Sequence, residues 1–328
     1  MGASRIFTSE DIGAPVLHGL TNGSLNALLL ACLVNGYGDK APLGWTCPFY
    51  DNSLNVYVFR NNPVQGSGMF LRVGDGGTSL MYEFTLRAYA SMGNIHSGIS
   101  PIPLNGYSIN KKGYGQAANI PWKLIGDDRG FYLFTRNGNA YWAVRDDYDS
   151  YLKYEGLYVG DIISSVANTR ILYGIFGNAS TLSGIHFPSD CGVAMTTQTD
   201  NNQFSMINKN PVTGKLIATS VRVLPLIPSS STAVGSCNQQ SVITTGIPHC
   251  ADTAVIANWD IVGKLPGMYS PIVNWTLPQN KQFFVEKYFS YGPHLFLFLP
   301  LLYPSVTNGY NMTMARSVVI KIGDGFRV

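Results

Sequence analysis

Residues 121–145 read PWKLIGDDRGFYLFTRNGNAYWAVR, and this stretch decides how the chain folds. Three apolar and aromatic runs, Trp122–Gly126, Gly130–Thr135 and Ala140–Arg145, are parted by Asp127-Asp128-Arg129 and by Arg136-Asn137-Gly138-Asn139. Asn-Gly in the second connector supplies the positive-φ residues that a tight hairpin needs, so the segment predicts a three-stranded antiparallel meander. Phe131, Tyr132, Leu133 and Phe134 are all large. A strand with no polar side has both faces covered. Tyr154–Ile163 adds a further strand.

Working outward, short β-rich runs alternate with turn residues in both directions. Leu54–Arg60, Met69–Val73 and Leu80–Ala90 read as strands, with Gly74-Asp75-Gly76-Gly77 turning between the second and third. Ser91–Pro121 is punctuated by Pro and Gly and reads as a long loop, either exposed or concealing a short element. Arg170–Phe176, Leu216–Leu226, Val255–Val262, Gln282–Phe289, His294–Leu299 and Ser317–Ile322 are later strand candidates. The last alternates Val318, Ile320 and Ile322 with Val319, Lys321 and Gly323, as a partly exposed terminal strand would. Thr196–Asn210 and Pro228–Gln240 are polar and read as surface loops. The expected fold is mainly β: two antiparallel β-rich domains, sandwich- or barrel-like, spanning residues 1–166 and 167–328, with a soft boundary near Ala167.

One helix interrupts this pattern. Leu25, Leu28, Leu29, Cys32 and Leu33 recur at i, i+3, i+4, i+7 and i+8, the stripe of a helix with one buried face. Thr21, Asn22 and Ser24 offer capping oxygens ahead of it, and Asn35-Gly36 offers a left-handed stop. A helix this short does not hold alone in water, so it must dock on the first β domain. Burying five such side chains contributes on the order of 10 kcal/mol before chain entropy is subtracted.

A series of motifs carries a resemblance. Gly-x-Pro-Val-Leu-x-Gly (Gly13–Gly19), Ala-Cys-Leu-Val-Asn-Gly-Tyr-Gly (Ala31–Gly38) and Gly-Trp-Thr (Gly44–Thr46) open it. Asn55–Arg60, Met69–Gly77, Pro121–Phe134 and Tyr154–Ile162 continue it, and Val262–Ile272 is its best late match. In series these motifs resemble a family of virion structural proteins of tailed bacteriophages, over the first half closely and over the second half sparsely. The resemblance implies a particle component made in the bacterial cytoplasm, without implying a chemical mechanism.

Composition bounds the function. The chain has 328 residues, of which 45% are hydrophobic but only 12% charged. Roughly 25% charged is usual. The glutamates number four. A surface this poor in charge is either covered by neighbouring subunits or kept soluble by Asn, Ser, Thr and Tyr. The net charge of +3 is too weak for binding driven by phosphate neutralisation, which argues against nucleic acid as the main partner. The start, MGASRIFTSEDIG, has no apolar run of the kind a secretory signal carries. His294–Tyr303, the most apolar run, is ten residues long and contains Pro300, too short to span a bilayer. Cys32, Cys47, Cys191, Cys237 and Cys250 are odd in number and irregularly spaced, as small buried hydrophobes are.

Each motif with chemical potential has a simpler reading. Gly126-Asp127-Asp128-Arg129 joins two strands, where Asp side chains cap backbone amides, although paired carboxylates beside an arginine also suit a cation. Asp146-Asp147-Tyr148-Asp149 lacks the central Gly of a calcium loop and reads as a solvated loop. His186, Cys191, Cys237, His249 and Cys250 do not have the spacing of a zinc site. No Gly-x-Ser-x-Gly elbow occurs, and Gly66-Ser67-Gly68 reads as a flexible loop. Glycoside cleavage needs two carboxylates, which two distant aspartates meeting in a cleft would supply.

No catalytic residue, cofactor or metal is therefore expected, and the chain is read as a non-enzyme. The expected function is that of a structural subunit in the tail, neck or baseplate region, with copies of itself and other virion proteins as partners. Tyr141, Trp142, Tyr148, Tyr151, Tyr154 and Tyr158 cluster and are the interface candidates, since Tyr and Trp join apolar area to a polar tip; cross-strand packing on the meander is the alternative. Competing functions are a capsid-surface or collar protein, and a receptor-binding or glycan-cleaving tail component whose partner is a host surface glycan.

Overall fold

The computed structural model describes residues 3–19, 21–76, 83–110, 119–137, 153–165, 171–176, 178–180, 184–186, 204–209, 213, 215–220, 222–225, 250–257, 260–271, 287–301 and 316–327. In chain order β1 (Arg5–Thr8) precedes α1 (Ser24–Leu29), which runs directly into a π-helical turn, Leu30–Asn35. Then come β2 (Thr46–Asp51), β3 (Val56–Arg60), β4 (Phe70–Gly74), β5 (Glu83–Tyr89), the short pair β6 (Ser91–Met92) and β7 (Gly98–Ile99), and β8 (Ile102–Asn110). The middle of the chain gives β9 (Trp122–Asp127), β10 (Gly130–Asn137), β11 (Lys153–Asp161), β12 (Ile163–Ser164), β13 (Ile171–Phe176), β14 (Asn178–Ser180) and β15 (Gly184–His186). The remainder supplies β16 (Phe204–Lys209), β17 (Leu216–Ser220), β18 (Arg222–Pro225), β19 (Cys250–Ala257), β20 (Asp260–Pro271), β21 (Lys287–Tyr291), β22 (His294–Leu301) and β23 (Arg316–Ile322).

The protein is mainly β, as its sequence pattern requires, and among the described residues its sheets are antiparallel apart from one parallel bridge, Tyr154 to Leu301. β2, β3, β4, β5 and β8 form a five-stranded sheet in that order. A fourteen-stranded sheet contains the path β1-β9-β10-β11-β22-β23-β20-β19-β18, with β13, β16 and β17 leading off β11. This sheet runs across residue 167, where the boundary is expected. Strands from both sides of that point pair with each other: β11 with β13, β12 with β20, and β11 with β22. Composition changes there, but backbone hydrogen bonding does not stop.

The meander exists with a different third strand. β9 pairs β10 from Gly130↔Asp127 to Thr135↔Trp122, and β10 pairs β11 from Gly130↔Gly160 to Asn137↔Lys153. Ala140–Arg145 lies outside the described residues. All four large side chains of β10 are buried, and its alternation assigns them to two cores. Phe131 and Leu133 join Leu124, Leu157 and Val159 against the helix and the five-stranded sheet. Tyr132 and Phe134 join Tyr158 and Phe176 against Leu297, Leu299, Val318, Ile320 and Phe326. β10 is thus the partition between two apolar layers.

The helical stripe is buried in full: Leu25, Leu28, Leu29, Cys32 and Leu33 all lie in the first core. Its cap differs from expectation. Gly23 is the N-cap residue and no local side chain caps the helix. Instead the Leu25 N–H donates to Asp75 Oδ2 at 2.8 Å, from a turn fifty residues away, and the Gly23 N–H donates to the Asp75 carbonyl. Ser24 is turned elsewhere, donating to the His18 carbonyl. At the other end the Gly36 N–H reaches back to the Ala31 carbonyl, while the Cys32 and Leu33 carbonyls accept from Leu43, Gly44 and Trp45. That returning segment takes the acceptors a further α-turn would use, and the helix widens and stops.

Other expectations shift with tertiary context. The Ser91–Pro121 loop holds β6, β7 and β8, and the expected loop Thr196–Asn210 contains β16. Val255–Val262 resolves into the end of β19 and the start of β20, which pair as a hairpin. Ser317–Ile322 is no partly exposed terminal strand: β23 lies between β20 and β22, and Val318 to Ile322 are buried, Lys321 included. Pro228–Gln240 lies outside the described residues.

Candidate functional site

The densest polar constellation among the described residues forms where β9, β10, β11 and the segment after β23 converge. Asp127 ends β9, and its Oδ1 accepts the N–H groups of Arg129 (2.9 Å) and Gly130 (3.0 Å) across the hairpin turn. The turn reading of Gly126–Arg129 is therefore correct as far as it goes. Asp127 also receives Arg327, with Nε to Oδ2 at 2.5 Å and Nη2 to Oδ1 at 2.8 Å. Arg327 Nη1 donates to the Asp161 carbonyl at 2.7 Å, and Nη2 lies 3.4 Å from the Tyr158 hydroxyl. That hydroxyl itself donates to the Asp161 carbonyl.

Asp161, at the end of β11, is filled from the opposite side. Its Oδ1 accepts Ser67 Oγ–H (2.5 Å) and Asn61 Nδ2–H (3.0 Å), and its Oδ2 accepts the Ser67 N–H (2.8 Å) and Arg129 Nε–H (3.3 Å). The Gly66-Ser67-Gly68 segment is thus fastened to a buried carboxylate, which corrects its reading as a flexible loop. Asn62 donates to Asp128 Oδ2 at 2.6 Å, tying the same segment to the hairpin turn.

Two aspartates distant in sequence belong to this one network, but both are inside the protein. Asp127 and Asp161 are 3% and 2% exposed, and each faces an arginine. Two carboxylates and two guanidinium groups balance in charge, which is how buried ions avoid an uncompensated desolvation penalty. Burial is the main cause that pushes the Tyr158 hydroxyl above its ordinary value; Asp127 and Asp161 add to it and Arg327 opposes. Burial works against the Arg327 cation, yet Tyr158, Asp127 and Asp161 outweigh it and hold its proton more firmly. The arrangement binds chain segments to one another, and both carboxylates are engaged by protein donors.

Among the described residues no group of three His, Cys, Asp or Glu side chains is placed to hold a metal ion, and no helix is long and apolar enough to cross a membrane. His186 lies in β15 and Cys250 opens β19; Cys191, Cys237, His249 and Asp146–Asp149 lie outside the described residues. Cys32 and Cys47 are free thiols, and burial pushes both upward from the usual thiol range.

The chain matches no protein-family model, no curated protein and no solved structure.

Of the interface candidates, Tyr141, Trp142, Tyr148 and Tyr151 lie outside the described residues. Tyr154 pairs through its backbone with Arg136 in the β10–β11 ladder. Tyr158 is corrected outright: it is fully buried, 4.6 Å from the Tyr132 ring and 5.9 Å from Phe176. β11 has neighbours on both sides and a core on each face, which leaves this tyrosine no route to the surface.

Large apolar side chains do reach solvent elsewhere. Ile12 and Val64 are more than four-fifths exposed, and Tyr50, Ile99 and Tyr291 about three-fifths. Tyr50 on β2 stacks on Tyr57 at 5.7 Å. The β21–β22 hairpin shows Tyr288, Tyr291 and Leu295 to solvent, beside the stacked pair Phe289–Phe296 at 5.4 Å. Its sequence signal was present in the aromatic run around Gly292-Pro293, which reads first as strand.

Proposed function

We propose that this chain is a structural subunit of a tailed-phage particle, in its tail, neck or baseplate region, working through contacts with its own copies and with other virion proteins. The observation that carries the reading is a chain with few charges that nevertheless displays Ile12, Tyr50, Val64, Ile99 and Tyr291 to solvent. Isolated apolar residues are ordinary on a protein surface, but here they accompany less than half the usual charge, a combination suited to burial between subunits. The motif series running from Gly13 to Ile162 supports the particle assignment. The consumption of Asp127 and Asp161 by arginines supports a role in which chemistry plays no part.

A second reading, a receptor-binding tail component, draws on the exposed aromatics of the β21–β22 hairpin, since tyrosine faces stack on sugar rings as readily as on protein. Electron microscopy of intact particles carrying a density label on this chain tests the proposal. Repeated label at the tail, neck or baseplate is the expected result. Absence from the particle, together with a purified monomer that turns over a saccharide, overturns it. Label only at distal tips, with glycan binding abolished by Tyr291→Ala, favours the second reading.

A further inference from the structure

The pocket at Asp127 holds a ligand of its own, and that ligand sits on a hinged segment. β23 ends at Ile322, and Gly323–Arg327 leave the sheet. Gly323 and Gly325 adopt φ of 85° and 75° on either side of the exposed Asp324. Glycine takes this left-handed backbone without steric penalty and leaves it as easily, so Gly325 can serve as a joint. The near end is fixed: the Gly323 N–H donates to Ser4 Oγ at 2.8 Å, and the Ser4 N–H donates to the Gly323 carbonyl at 3.1 Å. Movement therefore begins beyond Gly323.

Past the joint stand two anchors. Phe326 is fully buried, edge-on to Tyr132 at 6.1 Å, and a β-carbon at Gly267 would come within 2.5 Å of its ring. Arg327 places its guanidinium against the Asp127 carboxylate, the Asp161 carbonyl and the Tyr158 hydroxyl.

These receiving groups are held without help from Arg327. Asp127 is oriented by the amides of its own turn, Tyr158 by the Asp161 carbonyl, and the Asp161 carboxylate by Ser67, Asn61 and Arg129. Glycine at 130 leaves room for Tyr158 and the ligand together, since a β-carbon there would strike the Tyr158 hydroxyl first and lie 3.0 Å from Arg327 Nη2. A planar fork of N–H donors fits a carboxylate edge plus a carbonyl; a compact ammonium does not.

We propose that Asp127, Tyr158 and the Asp161 carbonyl form a preformed guanidinium receptor, and that Phe326–Arg327 is its detachable ligand, a latch that swings about Gly325 while the sheet stays folded. Local opening of this kind is distinct from global unfolding and separable from it by exchange measurements. In wild-type protein with labelled arginine, the Arg327 Nε proton is expected to exchange at least tenfold faster than the β23 amides of Val318–Ile320, with no dependence on low denaturant. Equal rates with equal denaturant dependence mean that the latch opens only when everything does, and overturn the proposal. In Arg327→Ala, millimolar guanidinium chloride is expected to raise the unfolding temperature, whereas equal sodium chloride does not, and neither affects wild type. Failure of guanidinium to discriminate the folded variant from wild type also overturns it. Should Arg327→Ala not fold, the exchange measurement on wild type decides alone.

Discussion

Arg327 and Asp127 stand 200 residues apart in the chain and meet through two parallel N–H···O bonds of 2.5 and 2.8 Å. Both are buried, so the pair replaces water for each partner and cannot be broken by halves without leaving an uncompensated charge. Arg327→Ala is expected to lower stability by about 3–5 kcal/mol. Asp127→Ala should lose at least as much, because the carboxylate also caps the Arg129 and Gly130 amides. Denaturant titration of both variants and the double variant checks this: the double must lose less than the sum of the singles.

The helix is held at its start by a carboxylate from a distant turn. Asp75→Ala is expected to lower stability by about 1–2 kcal/mol, the range for loss of a charged cap at a buried site. Asn22→Ala should change it by less than about 0.5 kcal/mol, as an exposed position without a capping bond. Thermal unfolding of the two variants decides between a distant and a local cap; a larger loss from Asn22→Ala would reverse the assignment.

Close approach of β10 and β11 depends on glycine at 160. A β-carbon there would meet the Arg129 carbonyl oxygen at 2.5 Å, and the Gly130 Cα closer still, and both are backbone that cannot turn aside. Gly160→Ala is expected to lower stability by about 1–3 kcal/mol or more through overpacking. A variant as stable as wild type would show that the strands have room to part.

Alkaline pH should unfold the protein through its tyrosines. Burial, the largest cause in each, raises Tyr132, Tyr158 and Tyr173 above their ordinary value. Unfolded tyrosine loses its proton near pH ~10, while the folded residues keep theirs, so unfolding releases protons there. Stability is then fully present below about pH 10 and falls as pH rises beyond it. Unfolding midpoints measured from pH 8 to 11 should decline steeply at the top of that range, and less so for Tyr158→Phe. A flat profile would contradict the burial of these hydroxyls.

What the sequence disclosed and withheld follows from range. The stripe Leu25–Leu33 and the β9–β10 hairpin were legible because both rest on periodicity and turn chemistry within a dozen residues. The Asp75 cap, the Arg327 pair and the Ser67–Asp161 bonds were not, since each joins positions fifty to two hundred residues apart. That β11 is the strand beside β10 was hidden for a related reason. Ala140–Arg145 has the right composition, but β11 takes the place beside β10, and propensity does not rank competing partners. Tyr158 misled as an interface candidate because a tyrosine's sequence neighbourhood does not reveal whether strands flank it on both sides. Asp127 was legible as a turn residue and not as an ion-pair partner.

β23, the last strand in the chain order described, fills an interior slot between β20 and β22, while β1, the first, lies beside β9 at the edge of the same sheet. Ribosomal production therefore exposes the unfinished sheet until Arg316–Ile322 has emerged. Pairing strands across so long a stretch of chain is slow, with raw strand edges on display in the interval. In a crowded cell, that interval is when a chaperone, or premature association with a sibling chain, would decide the yield.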